Sequence, residues 1–207
     1  MAANIWPTVQ SERAALAQDL GSLSVDQWST TSLCSEWTVR DTLAHMTATA
    51  KTSGATFFPK LIGSGFRLTA MQTKDIATER GASPDETLSR FSSVVDSVKH
   101  PPGPNDTWLG EVIIHAEDIR RPLGIAHDYP TEATVRVADF YKGSNLVVGT
   151  KKRIAGLQLR ATDADWTHGS GPEVSGPILS LVLAMTGRHK AMTELTGDGV
   201  STLMGRP

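Results

Sequence analysis

The sequence predicts a mainly α-helical protein, a four-helix bundle followed by a small α/β appendage. Two observations predict it. Four segments in the first 121 residues carry apolar side chains at helical spacing, each bounded by a capping residue, a proline or a glycine. From about residue 152 the texture changes to a short alternating run, a turn and a compact apolar helix. The expected division is therefore 1–150 for the bundle and 151–207 for the appendage.

The first helix is expected from about Pro7 to Leu20, with Val9, Leu16 and Leu20 near one stripe and Gly21 allowing the chain to stop. Ser24 and Gln27 form a small capping pair before a Ser/Thr-rich loop that runs to Ser32. Thr38 and Asp41 mark the next start, and Val39, Leu43 and Met46 continue at helical spacing, so this second helix carries His45. Residues 53–81 are broken by Pro59, Gly63 and Gly65; one short turn and a helix from about Phe66 to Glu79 are expected. Ser83-Pro84-Asp85-Glu86 is the strongest start signal in the chain. The face Leu88, Phe91, Val94, Val95 and Val98 then runs towards Pro101-Pro102.

Asn105 or Asp106 caps a long helix through Trp108 and His115 that Pro122 stops. A further helix is expected from about Glu132 to Val148, weakened at Gly143 and Ser144. Leu157 to Thr162 alternates as a half-buried strand should, Asp163-Ala164-Asp165 reads as a turn, and Trp166 to His168 as a second strand. Pro177 opens an apolar helix that Gly187 closes.

Composition narrows the function. A net charge of −2 gives no global electrostatic reason to expect nucleic acid or an anionic membrane as partner. The apolar stretch Ile178 to Met185 is about half of the roughly 20 residues that span a bilayer. Met1 to Pro7 lacks the basic and apolar pattern of a secretory signal, so a cytoplasmic setting is expected. Cys34 is the sole cysteine, which excludes an internal disulfide and a multi-cysteine zinc centre. Any metal must be held by His and carboxylate.

Glu111 and His115 supply such a pair. A spacing of four puts them one turn apart on one helix face, and His45 from the second helix completes a two-His, one-carboxylate set. That set suits zinc with a position left for water or substrate, and also Fe(II), Ni(II) or Mn(II). Spacing alone leaves a second reading open, an exposed polar pair and a hydrogen-bonded core histidine.

Two longer signatures go further. Cys34-Ser35-Glu36-Trp37-Thr38-Val39-Arg40-Asp41-Thr42-Leu43-Ala44-His45, and Glu111 to His115 continuing through Ala116-Glu117-Asp118-Ile119-Arg120-Arg121-Pro122-Leu123-Gly124, resemble the mycothiol-dependent maleylpyruvate isomerase family, a branch of the DinB/YfiT-like metalloproteins. Gly176-Pro177, Leu181 to Leu183 and Gly187-Arg188 resemble that family's carboxy-terminal domain. The resemblance implies an antiparallel four-helix bundle, with His45, Glu111 and His115 at the metal positions normally assigned to zinc. It implies mycothiol, a low-molecular-weight thiol of actinobacteria, as cofactor.

Chemically, a free thiol has a pKa of about 8.5, and coordination to a divalent cation stabilises the reactive thiolate. The implied activity is thiol-assisted cis–trans isomerisation of a maleylpyruvate-like substrate, or S-transfer to another small electrophile. The alternative is a non-catalytic metal-binding or stress-response protein of the same superfamily; a third reading is a purely structural helical module.

Other residues take lesser expectations. Arg188, within the Gly-Arg signature, is the candidate to bind a substrate carboxylate, with a surface role as its default. Asp41 and Asp118 are read first as a helix cap and an intrahelical ion pair, and second as groups that orient a metal ligand. Trp108 packs in the core or walls the cavity. Arg120 and Arg121 serve the helix end or meet an anion. His100, His127, His168 and His189 are solvated or structural, and Cys34 is a small buried residue.

Overall fold

The computed structural model describes residues 4–34, 36–145 and 149–206. The chain forms two compact units, Met1–His127 and Asp128–Pro207.

In the first unit, α1 (Trp6–Leu20), α2 (Val39–Lys51), α5 (Pro84–Ser92) and α6 (Asn105–Leu123) pack as a ring: α1 on α5, α5 on α2, α2 on α6 and α6 on α1. Each helix therefore buries one stripe towards a common core. Val9, Leu16 and Leu20 from α1 meet Leu43 and Met46 from α2, Phe91 from α5, and Val112, Ile113, Ala116 and Ile119 from α6 in that core, all buried. Each full-sized aliphatic side chain contributes about 1.5–3 kcal/mol by leaving water, and truncating one such as Ile113 to Ala would cost about 2–5 kcal/mol.

Local signals start the helices. The Thr38 side chain accepts from the Asp41 amide at 3.2 Å, and Asp41 Oδ2 accepts from the Thr38 amide at 3.1 Å, a reciprocal box that opens α2. Ser83 Oγ accepts from the Glu86 amide at 3.2 Å above α5, with Pro84 in the first turn. Pro104, rather than Asn105 or Asp106, occupies the cap position of α6, and Gly124 closes that helix in the left-handed region at φ 69°.

Several expected boundaries move. α5 ends at Ser92, and residues 93–96 continue as turns rather than as helix. The short turn expected after residue 53 is a ten-residue helix, α3 (Gly54–Gly63). It lies on α4 (Leu68–Glu79), which packs on α2. α4 cannot begin at Phe66, whose φ of 59° is left-handed and ends any continuous helix there. α6 runs on through Pro122 to Leu123.

The second unit differs more from expectation. α7 (Thr131–Gly143) packs on α8 (Thr150–Arg153) and on α9 (Ile178–Met185), so the unit starts at Asp128 and not at 151. Ala133, Val137, Ala138 and Tyr141 make its buried face. Periodicity reveals such a face but not the partner it covers. Of the helix expected to Val148, residues 146–148 lie outside the described residues.

The sheet has the order β2-β1-β3, from β1 (Gln158–Ala161), β2 (Thr167–Gly169) and β3 (Glu173–Gly176). Leu159 sits opposite His168 across the antiparallel pair and opposite Val174 across the parallel one. β3 carries no alternation that marks it in the sequence; it is a four-residue strand between a glycine-rich turn and Pro177. Asp163 Oδ1 accepts from the Ile178 amide at 2.7 Å, satisfying a donor at the start of α9, which is apolar except for Ser180. A 3-10 segment (His189–Glu194) and α10 (Val200–Met204) complete the unit. No helix among the described residues is long and apolar enough to cross a membrane.

Candidate metal centre

α2 and α6 adjoin in the bundle, and this brings His45 and His115 together. Their ring centroids are 5.0 Å apart at 80°, an edge-to-face arrangement. Trp37, which directly precedes the α2 cap, lies against both, with centroids 4.8 Å from His45 and 6.2 Å from His115. In the sequence Trp37 carries no signal for this role beyond its place in the signature.

Glu111 sits one turn before His115 on α6 and is 8% exposed. Neither of its carboxylate oxygens has a hydrogen-bond partner among the described residues. Burial pushes this carboxyl up from its ordinary value, while the charges of His115 and Arg13 pull it the other way. Arg13 itself, 1% exposed on α1, spends Nη1 on the Ser97 carbonyl at 2.8 Å. A buried carboxylate with unspent oxygens costs several kcal/mol unless something else completes it.

The other face of His115 is closed. Nδ1 lies 2.8 Å from Asp118 Oδ2, and the same oxygen accepts from the Cys34 thiol at 3.0 Å. Asp118 is fully buried. Burial opposes the imidazolium, but the hydrogen bonds to Asp118 and Cys34 outweigh it, so His115 is pushed up to about 10. In the neutral ring the Nδ1–H donates to Asp118, and this leaves the Nε2 lone pair for a cation.

Cys34 reaches this position through a tight turn. Thr31 and Thr38 bridge antiparallel, the Ser32 amide donates to the Trp37 carbonyl at 2.9 Å, and the Trp37 amide donates to the Cys34 carbonyl at 2.8 Å. The Leu33 amide then donates to the Asp118 carbonyl at 3.0 Å, tying the turn to α6.

Two donor sets thus share His115. Among the described residues, the His, Cys and carboxylate ligand atoms that lie within 4.8 Å of one another are those of Cys34, His115 and Asp118. The expected trio of His45, Glu111 and His115 is not drawn into so tight a cluster. In the first set, however, Asp118 Oδ2 already accepts from both neighbours, whereas the Glu111 oxygens are unspent. The donor chemistry of two imidazoles and a carboxylate fits zinc with an open position.

The remaining candidates separate cleanly. Asp41 caps α2 and pairs with Arg80 at 3.1 Å, as first read. Asp118 forms an intrahelical pair of i,i+3 spacing whose partner is the ring of His115, and through that pair it also bears on the ring's orientation. Cys34 is half-buried and hydrogen-bonded rather than simply buried. Arg120 is buried and pairs with Asp19 of α1 at 2.7 Å, while Arg121 pairs with Glu117 at 2.7 Å. His127 pairs with Glu12 at 2.6 Å.

Trp108 is buried with its ring 5.5 Å from that of His100, which stacks on Trp6 on a 5.4 Å spacing. In the second unit, Arg188 is half-buried and donates to the Thr186 carbonyl at 3.0 Å; Arg153 is held below its ordinary value by its own burial first and by the charge of Arg188 second.

A ring of four helices in which His45 of α2 meets His115 of α6 is a four-helix bundle with an imidazole pair at one helix contact. The family model of the mycothiol maleylpyruvate isomerase N-terminal domain matches residues 9–111, and over those residues the chain belongs to that family. The structure is similar to a crystal structure of the mycothiol-dependent maleylpyruvate isomerase, with a TM-score of 0.62 and 16% identity over 93% of this chain and 91% of that one. A histidine-to-alanine mutant of that isomerase aligns equally well, at 17% identity and the same coverage. Likeness at such identity establishes the fold. No curated protein gives a significant match to the sequence.

Proposed function

We propose that this chain is a metal-dependent, mycothiol-using enzyme of the cytoplasm that acts on a small electrophile. The reaction is thiol-assisted cis–trans isomerisation of a maleylpyruvate-like compound, or thiol S-transfer. The proposed ligands are His45, Glu111 and His115, and the proposed metal is zinc. One observation carries the reading: the Glu111 carboxylate is buried, has no hydrogen-bond partner among the described residues, and stands one turn from an imidazole whose far nitrogen is already engaged. When bound, the metal would supply a Lewis acid that stabilises the cofactor's thiolate at neutral pH.

The protein's own residues do the rest. Asp118 accepts the Nδ1 proton of His115 and so leaves Nε2 as the nitrogen that a metal would take in exchange for its proton. Trp37 lies against both imidazoles and limits their rotation. Glu111 contributes the negative charge that a dication needs, and Arg13 tempers that charge when no cation is present. Arg188 is assigned to the substrate carboxylate on the strength of its place in the Gly-Arg signature.

The test has two stages. Protein purified without added metal should carry about one divalent ion per chain, and His45→Ala or His115→Ala should lose it. Retention by both variants would refute the ligand assignment. Loaded protein should then form metal-dependent adducts or isomers when given mycothiol and a panel of electrophiles with and without carboxylates. Metal binding without any turnover across that panel would instead favour the non-catalytic reading. Arg188→Ala should raise KM selectively for the carboxylate-bearing substrates.

A further inference from the structure

We infer that Cys34 is a positioning residue for the metal ligand His115, acting through Asp118. The inference rests on the metal reading above and assigns a role that the two-His, one-carboxylate set does not contain.

The chain of contacts is short. The Cys34 thiol donates to Asp118 Oδ2 at 3.0 Å, and the same oxygen takes the Nδ1 proton of His115 at 2.8 Å. Two donors on one carboxylate oxygen fix the plane and rotation of that carboxylate, and the carboxylate fixes the imidazole. Asp118 is fully buried, so no water competes for the oxygen. Cys34 also stands 3.8 Å from Nδ1 itself, a packing contact that limits how far the ring can swing towards the turn.

The backbone shows that the thiol is held in place rather than incidental. Ser32 Oγ accepts from the Cys34 amide at 3.1 Å and donates to the Cys34 carbonyl at 3.1 Å. The Leu33 amide reaches the Asp118 carbonyl, so Asp118 is gripped by the turn at both its backbone and its side chain. Independent evidence that the ring so oriented serves a ligand is the buried carboxylate of Glu111, one turn away on α6, whose oxygens have no hydrogen-bond partner among the described residues.

The alternative role for the same sulfur is direct ligation, since Cys34, His115 and Asp118 form the tightest ligand cluster among the described residues. The two roles make opposite demands. A positioning thiol keeps its proton and can be replaced by a hydroxyl, which donates to the same oxygen; a ligating thiol loses its proton and cannot be so replaced.

The experiment compares wild type, Cys34→Ser and Cys34→Ala. Metal affinity is measured by competition with a chromogenic chelator, and the Co(II)-substituted proteins are examined by absorption without any added thiol. Removing a hydrogen-bonded partner of a ligating histidine typically costs about 10–100-fold in affinity. A thiol is a weak donor acting one step further out, so Cys34→Ala should weaken binding by about tenfold. Cys34→Ser should restore it to within about threefold, and the metal-free serine variant should unfold at a midpoint close to that of wild type, since its hydroxyl donates to the same carboxylate oxygen.

Wild-type Co(II) protein should show no thiolate-to-cobalt charge-transfer absorption. Wild-type affinity in Cys34→Ala would overturn the inference, and so would a serine variant as defective as the alanine one. A charge-transfer band lost in both variants would make Cys34 a ligand and overturn it as well. Absence of metal from the wild type would overturn the underlying metal reading, which distinguishes that failure from the others.

Discussion

The Leu33 amide donates to the carbonyl oxygen of Asp118 at 3.0 Å, and Pro122 is the reason this carbonyl is open to it. Within an α-helix the carbonyl of residue 118 would accept the amide of residue 122, but proline has no N–H to give. The helix therefore passes through Pro122 with one acceptor unspent, and the turn that carries Cys34 takes it. What looks in sequence like a helix stop is an attachment point.

Pro122→Ala should restore a competing helical donor for that carbonyl. A net hydrogen bond is worth about 0.5–1.5 kcal/mol, so the Leu33 amide should exchange with solvent up to about tenfold faster in the variant. The amides of Val112 and Ile113, deep in the core stripe of α6, should be unaffected. Unchanged protection at Leu33 in a hydrogen-exchange measurement would show that the turn does not depend on the proline.

Phe66 offers a second test, of local backbone strain. Its φ is 59°, its side chain is 73% exposed, and it follows Gly65 at φ 62°, so the chain makes two left-handed residues between α3 and α4. A residue with a Cβ pays about 1–2 kcal/mol there, whereas glycine pays mainly the larger entropy of its unfolded state, about 0.5–1 kcal/mol. Phe66→Gly should therefore be more stable than Phe66→Ala by up to about 1 kcal/mol in urea denaturation, although both delete the same exposed ring. Equal midpoints for the two would mean that position 66 relaxes without cost.

These particulars show what was legible in the sequence. The starts of α2 and α5 were, because Thr38/Asp41 and Ser83/Pro84 carry their signals within three residues. The ring of four helices was legible for a related reason, since a stripe at helical spacing has to be covered by another. The boundary between the units was not, because α7 has an equally good stripe and nothing local says that α9 covers it. Strand β3 was too short and too rich in small residues to alternate visibly.

At the candidate site, spacing placed Glu111 and His115 on one helix face. It could not show that Asp118, three residues further on, would turn its carboxylate to His115 rather than to Arg121, four residues after Glu117. Nor could it show that Trp37 and Cys34 would fold back over that ring; the one signal available was their clustering immediately before the cap at Thr38.

Acid sensitivity of the second unit follows from Asp139. Its partial burial would raise its pKa, but hydrogen bonds from Lys142 and from Trp166 Nε1, the latter at 3.0 Å, outweigh that and hold it below its ordinary value of 3.8. A depressed carboxyl binds fewer protons in the folded state than in the unfolded one. Its contribution is complete above about pH 5 and is lost as pH falls through 3.8 and below the folded value. Asp139→Asn should lower stability at pH 7 and lose less than wild type between about pH 5 and pH 3, read from urea midpoints across that range. Parallel curves for the two proteins would remove Asp139 from the account.

Glu111 allows the metal assignment to be tested by stability alone. In the metal-free protein its carboxylate is buried without a hydrogen bond, and burial raises its pKa, so the folded state binds a proton more tightly than the unfolded one. By linkage, metal-free wild type must lose stability as pH rises from the ordinary carboxylate range through the folded value, whereas Glu111→Gln, which carries no charge, must not. Metal-free Glu111→Gln is therefore expected to unfold at a higher temperature than metal-free wild type at pH 7, by an amount corresponding to about 1–3 kcal/mol, with the gap closing in acid.

Adding zinc should invert the order. Wild type gains about 2.7 kcal/mol when free metal is a hundredfold above Kd, and a variant lacking one of three ligands gains far less at the same concentration. The crossing is the diagnostic, because a merely structural glutamate would make the variant worse, or better, under both conditions. A variant less stable than wild type without metal would show that Glu111 has a partner in solution. The same rank order with and without zinc would remove it from the ligand set and shift attention to the Cys34, His115 and Asp118 cluster.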